Sequence, residues 1–293
     1  MIDVNTTFLV GLVGAGIQQS LSPTLHHAEA SQLGLQYHYQ IIDLDRLPVD
    51  TDPAAILRAA QLVGFAGLNI THPAKQSIIG GLDGLAPEAE AIGAVNTVVF
   101  GPDGAIGHNT DAHGFAELAR RALVNERCDR VVQFGAGGAG SAVAYAQLQA
   151  STSRLDIVDV DIQRAQMLVD RLAARFGADR VGWGAPETLR ELVGAAGGFV
   201  NATPMGMAAH PGNPVPEGVI TERHWVIDIV YMPLRTQLMI DAESLGARVT
   251  GGSAMTAFQA AQAFALFTGV QPDAGRMLAH MDAEVAAKLA AAV

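Results

Sequence analysis

The sequence predicts an α/β protein of two domains, the first interrupted by the second. Three observations carry that expectation. Short apolar runs alternate with amphipathic helical stretches over most of the chain, as in βαβ units with a largely parallel sheet. After Gly251-Gly252 the alternation gives way to Ala-rich helix. Between these regions, Val131-Val132-Gln133-Phe134 runs into Gly135-Ala136-Gly137-Gly138-Ala139-Gly140 and then a helical stretch, a strand–turn–helix with GxGxxG spacing. Residues 1–111 with 251–293 are therefore expected to form one domain, and 112–250 the domain inserted into it.

In chain order, the strand candidates of the first domain are Thr7–Val13, Tyr37–Leu44, Phe65–Ile70 and Asn96–Phe100. Helical patterns lie between them at Ser22–Leu33 and Pro53–Val63, with Pro53 suited to a first turn. Gly101-Pro102-Asp103-Gly104 reads as a hairpin loop. A helix is expected from Asp111 to about Val124. The inserted series has strands at Val131–Phe134, Leu155–Val160, Gly198–Asn201 and Val226–Ile229, and the closing helices are Ala254–Phe267 and Asp273–Ala292. Trp183 and Trp225 read as core aromatics. Ala209 to Pro216 is the most irregular stretch and reads either as a functional loop or as a plain surface connection.

Composition narrows the function classes. With 293 residues, 49% hydrophobic and 16% charged, the chain can bury sizeable cores. A formal net charge of -11 with no Lys/Arg run argues against nucleic acid, though not against a small anionic substrate. The single cysteine, Cys128, excludes an intramolecular disulfide and fits a reducing cytoplasm. Met1-Ile2-Asp3 opens without a basic leader, and the apolar run Phe8 to Ile17 is too short to cross a bilayer, so a cytoplasmic protein without a membrane partner is expected. His26 and His27 lack partners at metal-ligand spacing, and no metal site is expected. Oligomeric state, monomer or homodimer, is left open.

The Gly-rich turn is a nucleotide fingerprint of the Rossmann type. Glycines allow the tight turn and close approach of a pyrophosphate, which rests on the following helix N-terminus. Gly135, Ala136, Gly137, Gly138, Ala139 and Gly140 are thus candidate cofactor-binding residues. Asp159, at the end of the next strand, stands about where a ribose-binding acid is expected. Asp159-Val160-Asp161 favours NAD over NADP, because a 2′-phosphate beside a carboxylate costs roughly 3 kcal/mol per unit charge at about 5 Å. Arg164 reads as a solvated helix charge.

Two polar segments carry the remaining chemistry. Asn69-Ile70-Thr71-His72-Pro73-Ala74-Lys75 puts a lysine beyond a proline-broken turn, and His108-Asn109-Thr110-Asp111 puts a carboxylate in a first helical turn. A lysine and an aspartate at the ends of neighbouring strands make a proton-handling pair. Lys75 then acts either as a base or as a charge that stabilises an alkoxide. Ser20 and Ser22 read as a helix cap that also suits a carboxylate.

The ordered motifs identify a resemblance. Gly11-Leu12-Val13-Gly14, Ser20-Leu21-Ser22-Pro23, Asn69 to Lys75, Ala94-Val95-Asn96-Thr97, Asn109-Thr110-Asp111, the Gly-rich turn, Asn201-Ala202-Thr203-Pro204-Met205-Gly206-Met207, Asp228 through Tyr231 and the Gln259 helix resemble those of the shikimate/quinate dehydrogenases. The match runs along essentially the whole chain. It is most similar to the NAD-using branch, since NADP-using members usually carry Asn-Arg-Thr/Ser at Asp159-Val160-Asp161. Some quinate-using relatives have Thr where this chain has Ser22.

The resemblance implies hydride transfer between NAD and the C3 hydroxyl of a cyclohexene or cyclohexane carboxylic acid. It makes Lys75 and Asp111 the catalytic pair. Ser20 and Ser22 would hold the substrate carboxylate with Tyr231 nearby, and Thr71, Asn96 and Gln259 the ring hydroxyls. Asn201, Thr203, Met205, Gly252 and Met255 would border the cofactor. Aminoshikimate or NADP-dependent shikimate chemistry, and a non-catalytic ligand sensor, stand as alternatives.

Overall fold

A computed structural model describes residues 7–49, 51–150 and 152–291. The opening Met1-Ile2-Asp3 and the expected last helical residue, Ala292, lie outside them. The chain divides into two compact units, one holding the residues up to Gly114 with Ala257–Glu284, the other Phe115–Thr256 with the chain from Val285 on. Each has a six-stranded sheet.

In the first unit the strands are β1 (Thr7–Gly14), β2 (Gln36–Asp43), β3 (Gly67–Ile70), β4 (Gly84–Leu85), β5 (Thr97–Gly101) and β6 (Gly104–His108), ordered β2-β1-β3-β5-β6-β4. All run in one direction except β5, which is antiparallel to both neighbours. The sheet is therefore mixed, because the Gly101–Gly104 turn is a hairpin and reverses the chain where a βαβ crossover would not. Helices α1 (Ser22–Gln32), α2 (Pro53–Leu62), α3 (Ala74–Ser77) and α4 (Pro87–Ile92) fill the connections. The side chain of Asp52 caps α2 by accepting from the Ala54 amide at 3.0 Å. Strand β1 is covered on both faces: Val13 joins Ile56, Leu57 and Leu68, while Val10 and Leu12 join Ile17, Tyr39 and Phe267.

In the second unit β7 (Arg130–Phe134), β8 (Arg154–Val158), β9 (Val181–Gly184), β10 (Gly198–Asn201), β11 (Trp225–Asp228) and β12 (Arg248–Gly251) are all parallel, in the order β12-β11-β10-β7-β8-β9. That order, reversing at β7, is the doubly wound dinucleotide fold. The helices completing the chain are α5 (Thr110–Ala122), α6 (Gly138–Gln149), α7 (Ile162–Phe176), α8 (Leu189–Gly194), α9 (Gln237–Ser244), α10 (Ser253–Thr268) and α11 (Ala274–Ala291). Helix α7 buries Ala165, Leu168, Val169 and Leu172, one face at helical spacing.

Trp225 is buried as expected, with its indole N–H donated to Arg127 O at 2.9 Å. Trp183 is not a core aromatic: it is 45% exposed, because β9 is the edge strand. Among the described residues no helix is long and apolar enough to cross a membrane.

Candidate active site

The strands that carry the polar motifs deliver them to one end of the first sheet, away from its edge strands β2 and β4. β3 and β6 are not neighbours, contrary to the expectation from sequence; β5 lies between. Since β5 runs the other way, its beginning meets the ends of β3 and β6, and Asn96 arrives just before it. Lys75, in the short helix α3 beyond β3, and Asp111, in the first turn of α5 beyond β6, meet there with Nζ 2.5 Å from Oδ2. Their side chains are 17% and 11% exposed, enough for a small molecule to touch. The main chain tightens the junction, with Val95 N donating to Lys75 O at 2.8 Å and Asn96 N to His108 O at 3.0 Å.

Asn96 organises the surrounding polar surface. Its Oδ1 accepts from the Thr110 amide at 2.7 Å and from the Thr97 hydroxyl at 3.0 Å. Its Nδ2 donates to Thr110 Oγ1 at 3.0 Å and to Gln259 Oε1 at 3.4 Å. Thr110 also reaches Gln259 Oε1, at 3.2 Å. Asn96 and Gln259 are thus brought together beside the residue preceding Asp111. Thr110 was not among the candidates, although it stands inside the quoted motif. Its burial is what gives it a role, and that is not visible in sequence.

Ser22 opens α1 and Ser20 precedes it, both half-buried. Ser20 Oγ donates to Ser22 Oγ at 3.2 Å and accepts from the Ser22 amide at 3.2 Å. Thr71 follows β3, its amide donating to Val13 O at 2.9 Å and its carbonyl accepting from Ala74 N at 2.9 Å. His72 is exposed, while His108 lies with Nδ1 3.3 Å from Glu88 Oε1. Burial would raise the Glu88 carboxyl, but the hydrogen bond from His108 helps to hold it below the usual range.

In the second unit the Gly-rich turn joins β7 to α6. At Gly135, φ is +111°, and a Cβ would stand 2.5 Å from Ala202 O. At Gly140 a Cβ would stand 2.3 Å from Gly135 O. Around Gly137, the α6 N-cap, a Cβ would meet nothing within 4 Å. No side chain caps α6, which leaves its first amides free for an anion. A pyrophosphate fits this cradle.

Gln133, the one polar residue of its strand's apolar run, donates Nε2 to Gly135 O at 2.7 Å and to Gly140 O at 2.8 Å. Sequence reasoning passed over it, although a polar residue inside an apolar strand was a usable signal.

Asp159 lies just past β8 rather than inside it. Its Oδ2 accepts from Ala136 N at 2.7 Å and its Oδ1 from Asp161 N at 2.9 Å, a turn that ends the strand. Arg164 is not merely solvated: it lies 3.2 Å from Asp161 Oδ2 and 3.7 Å from Asp159 Oδ1.

Asn201 anchors the next loop, donating Nδ2 to Asp228 Oδ1 at 2.9 Å and to Met205 O at 3.0 Å, and accepting from Thr203 Oγ1 at 2.7 Å. Burial pushes the Asp228 carboxyl up. Tyr231 belongs to this unit, half-buried, with its phenol also raised by burial. Gly252 packs where a Cβ would stand 2.1 Å from Ile229 O, and Met255 is buried.

A reversed-order parallel sheet with a phosphate cradle at its switch point marks a dinucleotide-binding protein. A family profile described as the shikimate dehydrogenase substrate binding domain matches residues 12–98. The chain is 51% identical over 276 residues to the shikimate dehydrogenase (NADP(+)) of Streptomyces avermitilis, covering 94% of this chain and 95% of that one. The quinate dehydrogenase of Corynebacterium glutamicum, solved in complex with NAD, superposes with TM-score 0.88 at 42% identity, over 93% of this chain and 97% of that one. The shikimate 5-dehydrogenase of Thermus thermophilus, solved with NADP(H) and shikimate, gives TM-score 0.81 at 33% identity, over 94% and 99%. The chain belongs to the shikimate dehydrogenase family.

Proposed function

We propose that the protein is an NAD-dependent dehydrogenase that interconverts shikimate and 3-dehydroshikimate at the C3 hydroxyl, with quinate as a second substrate, in the cytoplasm. The observation that carries the reading is the Lys75–Asp111 pair, 2.5 Å apart at the polar end of the first sheet. A pure ligand sensor has little use for such a pair. The substrate-binding role falls to the unit holding β1–β6, and the cofactor role to the unit holding β7–β12.

A bound nicotinamide dinucleotide supplies the hydride acceptor. The chain's own residues manage the proton. In alcohol oxidation Lys75 takes the hydroxyl proton; in ketone reduction it returns one. Asp111 holds Nζ in place and balances its charge. Thr71, Asn96 and Gln259 orient the ring hydroxyls, and Ser20 and Ser22 receive the carboxylate.

Gly135 to Gly140 cradle the pyrophosphate, and Asp159 faces the adenosine ribose. Asn201, Thr203, Met205, Gly252 and Met255 line the rest of the cofactor. The NAD preference rests on Asp159-Val160-Asp161, where no basic residue stands at the strand end. One observation favours an NADP reading: Arg164 is a half-exposed cation beside Asp159, and the Streptomyces avermitilis relative is named for NADP(+).

The test is NAD(P)H formation with shikimate, quinate and aminoshikimate, each with NAD and with NADP. Turnover of shikimate with NAD well above NADP is expected. No turnover with any pair supports the sensor, and faster turnover with NADP overturns the cofactor assignment.

A further inference from the structure

We propose that Gln133 is a positioning residue for the cofactor. From within β7 it holds the carbonyl groups of Gly135 and Gly140 inward, so that the Gly-rich turn presents N–H groups and not oxygens to a diphosphate. This role deepens the pyrophosphate-binding reading given above for Gly135 to Gly140, and rests on it. Two buried amide side chains carry it, Gln133 and Gln147, whose hydrogen bonds can run in one direction only.

Carbonyl oxygens only accept, so the Gln133 atom 2.7 Å from Gly135 O and 2.8 Å from Gly140 O is the amide nitrogen. Both of its hydrogens are thereby committed, and its Oε1 faces the other way. There it accepts from Gln147 Nε2, on α6, at 2.8 Å. Gln147 Oε1 is left buried, with no hydrogen-bond partner among the described residues. A buried oxygen without a donor costs stability, which an apolar pair at these two positions would avoid. The pair is thus a poor device for joining β7 to α6, and its value lies in what Gln133 does to the turn.

Gln133 clamps the first and last glycines of the turn together. Both are buried, and the missing Cβ of Gly140 is what lets its backbone close on Gly135 O. The Ser141 hydroxyl donates to Gly137 O at 3.0 Å, so the carbonyls of Gly135, Gly137 and Gly140 all have donors within the protein. The amides of Gly135 and Ala136 are used as well, on Val158 O at 2.8 Å and Asp159 Oδ2 at 2.7 Å. What the turn offers an anion is the run of N–H groups that opens α6. Without the Gln133 donors, two oxygens lose partners inside a buried turn. A peptide group that rotates to regain one from water turns the negative end of its dipole toward the diphosphate.

The test is calorimetric titration of ADP-ribose into the full-length chain as wild type, Gln133→Met, Gln147→Met and the double variant, with a thermal melt of each. ADP-ribose carries the diphosphate without the nicotinamide, so binding is read without turnover. Gln133→Met keeps length and volume and removes both donors, and its Kd is expected to rise by about tenfold, two hydrogen bonds' worth. Gln147→Met leaves those donors in place but frees the Gln133 amide to rotate. A rise of about threefold is expected there, with a melting temperature unchanged or higher because the unpartnered oxygen is gone. In the Gln133→Met background the Gln147 change should add nothing, since it acts only through Gln133. A glutamine that served the fold alone would lower the melting temperature and leave the Kd of the folded chain where it was. A Gln133→Met Kd within about twofold of wild type, or a Gln147→Met effect equal in both backgrounds, overturns the proposal and leaves the cradle reading standing. Failure of ADP-ribose to bind the wild type overturns both. If Gln133→Met does not fold, Gln147→Met alone decides: a rise in Kd beyond about twofold supports the proposal, and a smaller one overturns it.

Discussion

Ala136 and Asp159 are joined across the Gly-rich turn, the Ala136 amide donating to Asp159 Oδ2 at 2.7 Å. The acid proposed to face the ribose thus also shapes the loop proposed to receive the pyrophosphate. Exchanging it for a neutral residue changes both the charge at the strand end and the turn itself.

Cofactor choice can be moved at this point. Asp159→Asn with Val160→Arg removes a negative charge and adds a cation at an exposed position. The ratio of kcat/KM for NADP to that for NAD should rise by about a hundredfold, roughly 3 kcal/mol. An unchanged ratio would show that the strand end does not read the ribose.

Lys75→Ala should lower kcat by about 10²–10⁴ while leaving the shikimate KM within a few-fold. Steady-state kinetics in both directions would check it. A KM effect with kcat preserved would demote Lys75 to substrate binding.

Two glycines of the turn should respond differently. Gly140→Ala puts a Cβ 2.3 Å from a backbone carbonyl, so it should destabilise the fold by more than about 2 kcal/mol. Gly137→Ala meets no protein atom within 4 Å. It should leave the melting temperature nearly unchanged and raise the NAD KM by about tenfold or more, because the added methyl enters the phosphate space. Thermal melts alongside cofactor titrations separate the two outcomes.

Burial lowers His26 from an ordinary 6.5 to about 3. It is enclosed by Tyr37, Tyr39, Phe264 and Phe267, with Nδ1 2.7 Å from the Tyr37 hydroxyl. Above pH 6.5 both folded and unfolded chains hold it neutral. Between there and about 3 only the unfolded chain takes up the proton, so stability falls as pH drops through that window. His26→Leu should flatten the slope of unfolding free energy there by about 1.4 kcal/mol per pH unit, the contribution of one proton. Denaturant titrations at pH 4, 5 and 6 would check it; parallel slopes in both proteins would exclude His26 as the source.

What could be read in advance was what is local along the chain. The cradle from Gly135 to Gly140 was legible because all its parts lie within six residues between a strand and a helix. Lys75 and Asp111 came from motifs, but their meeting depends on β5 being reversed between their strands, which no single segment encodes. The hydrogen bonds from Tyr39 to Asn69 and from Asn69 to Thr97 could not be read in advance, because each residue acquires its partner only through sheet register. Trp183 went the other way: hydrophobicity argued for burial, and an edge position left it half exposed.

The chain of side chains from Tyr39 through Asn69, Thr97, Asn96 and Thr110 to Gln259 contains no group that changes charge between acid and mildly alkaline solution. Its only acidic member, Tyr39, is pushed upward by burial. The network behind the proposed substrate residues Asn96 and Gln259 therefore keeps the same polarity across that range, which separates the selection of a ligand's hydroxyls from the proton transfer proposed for Lys75.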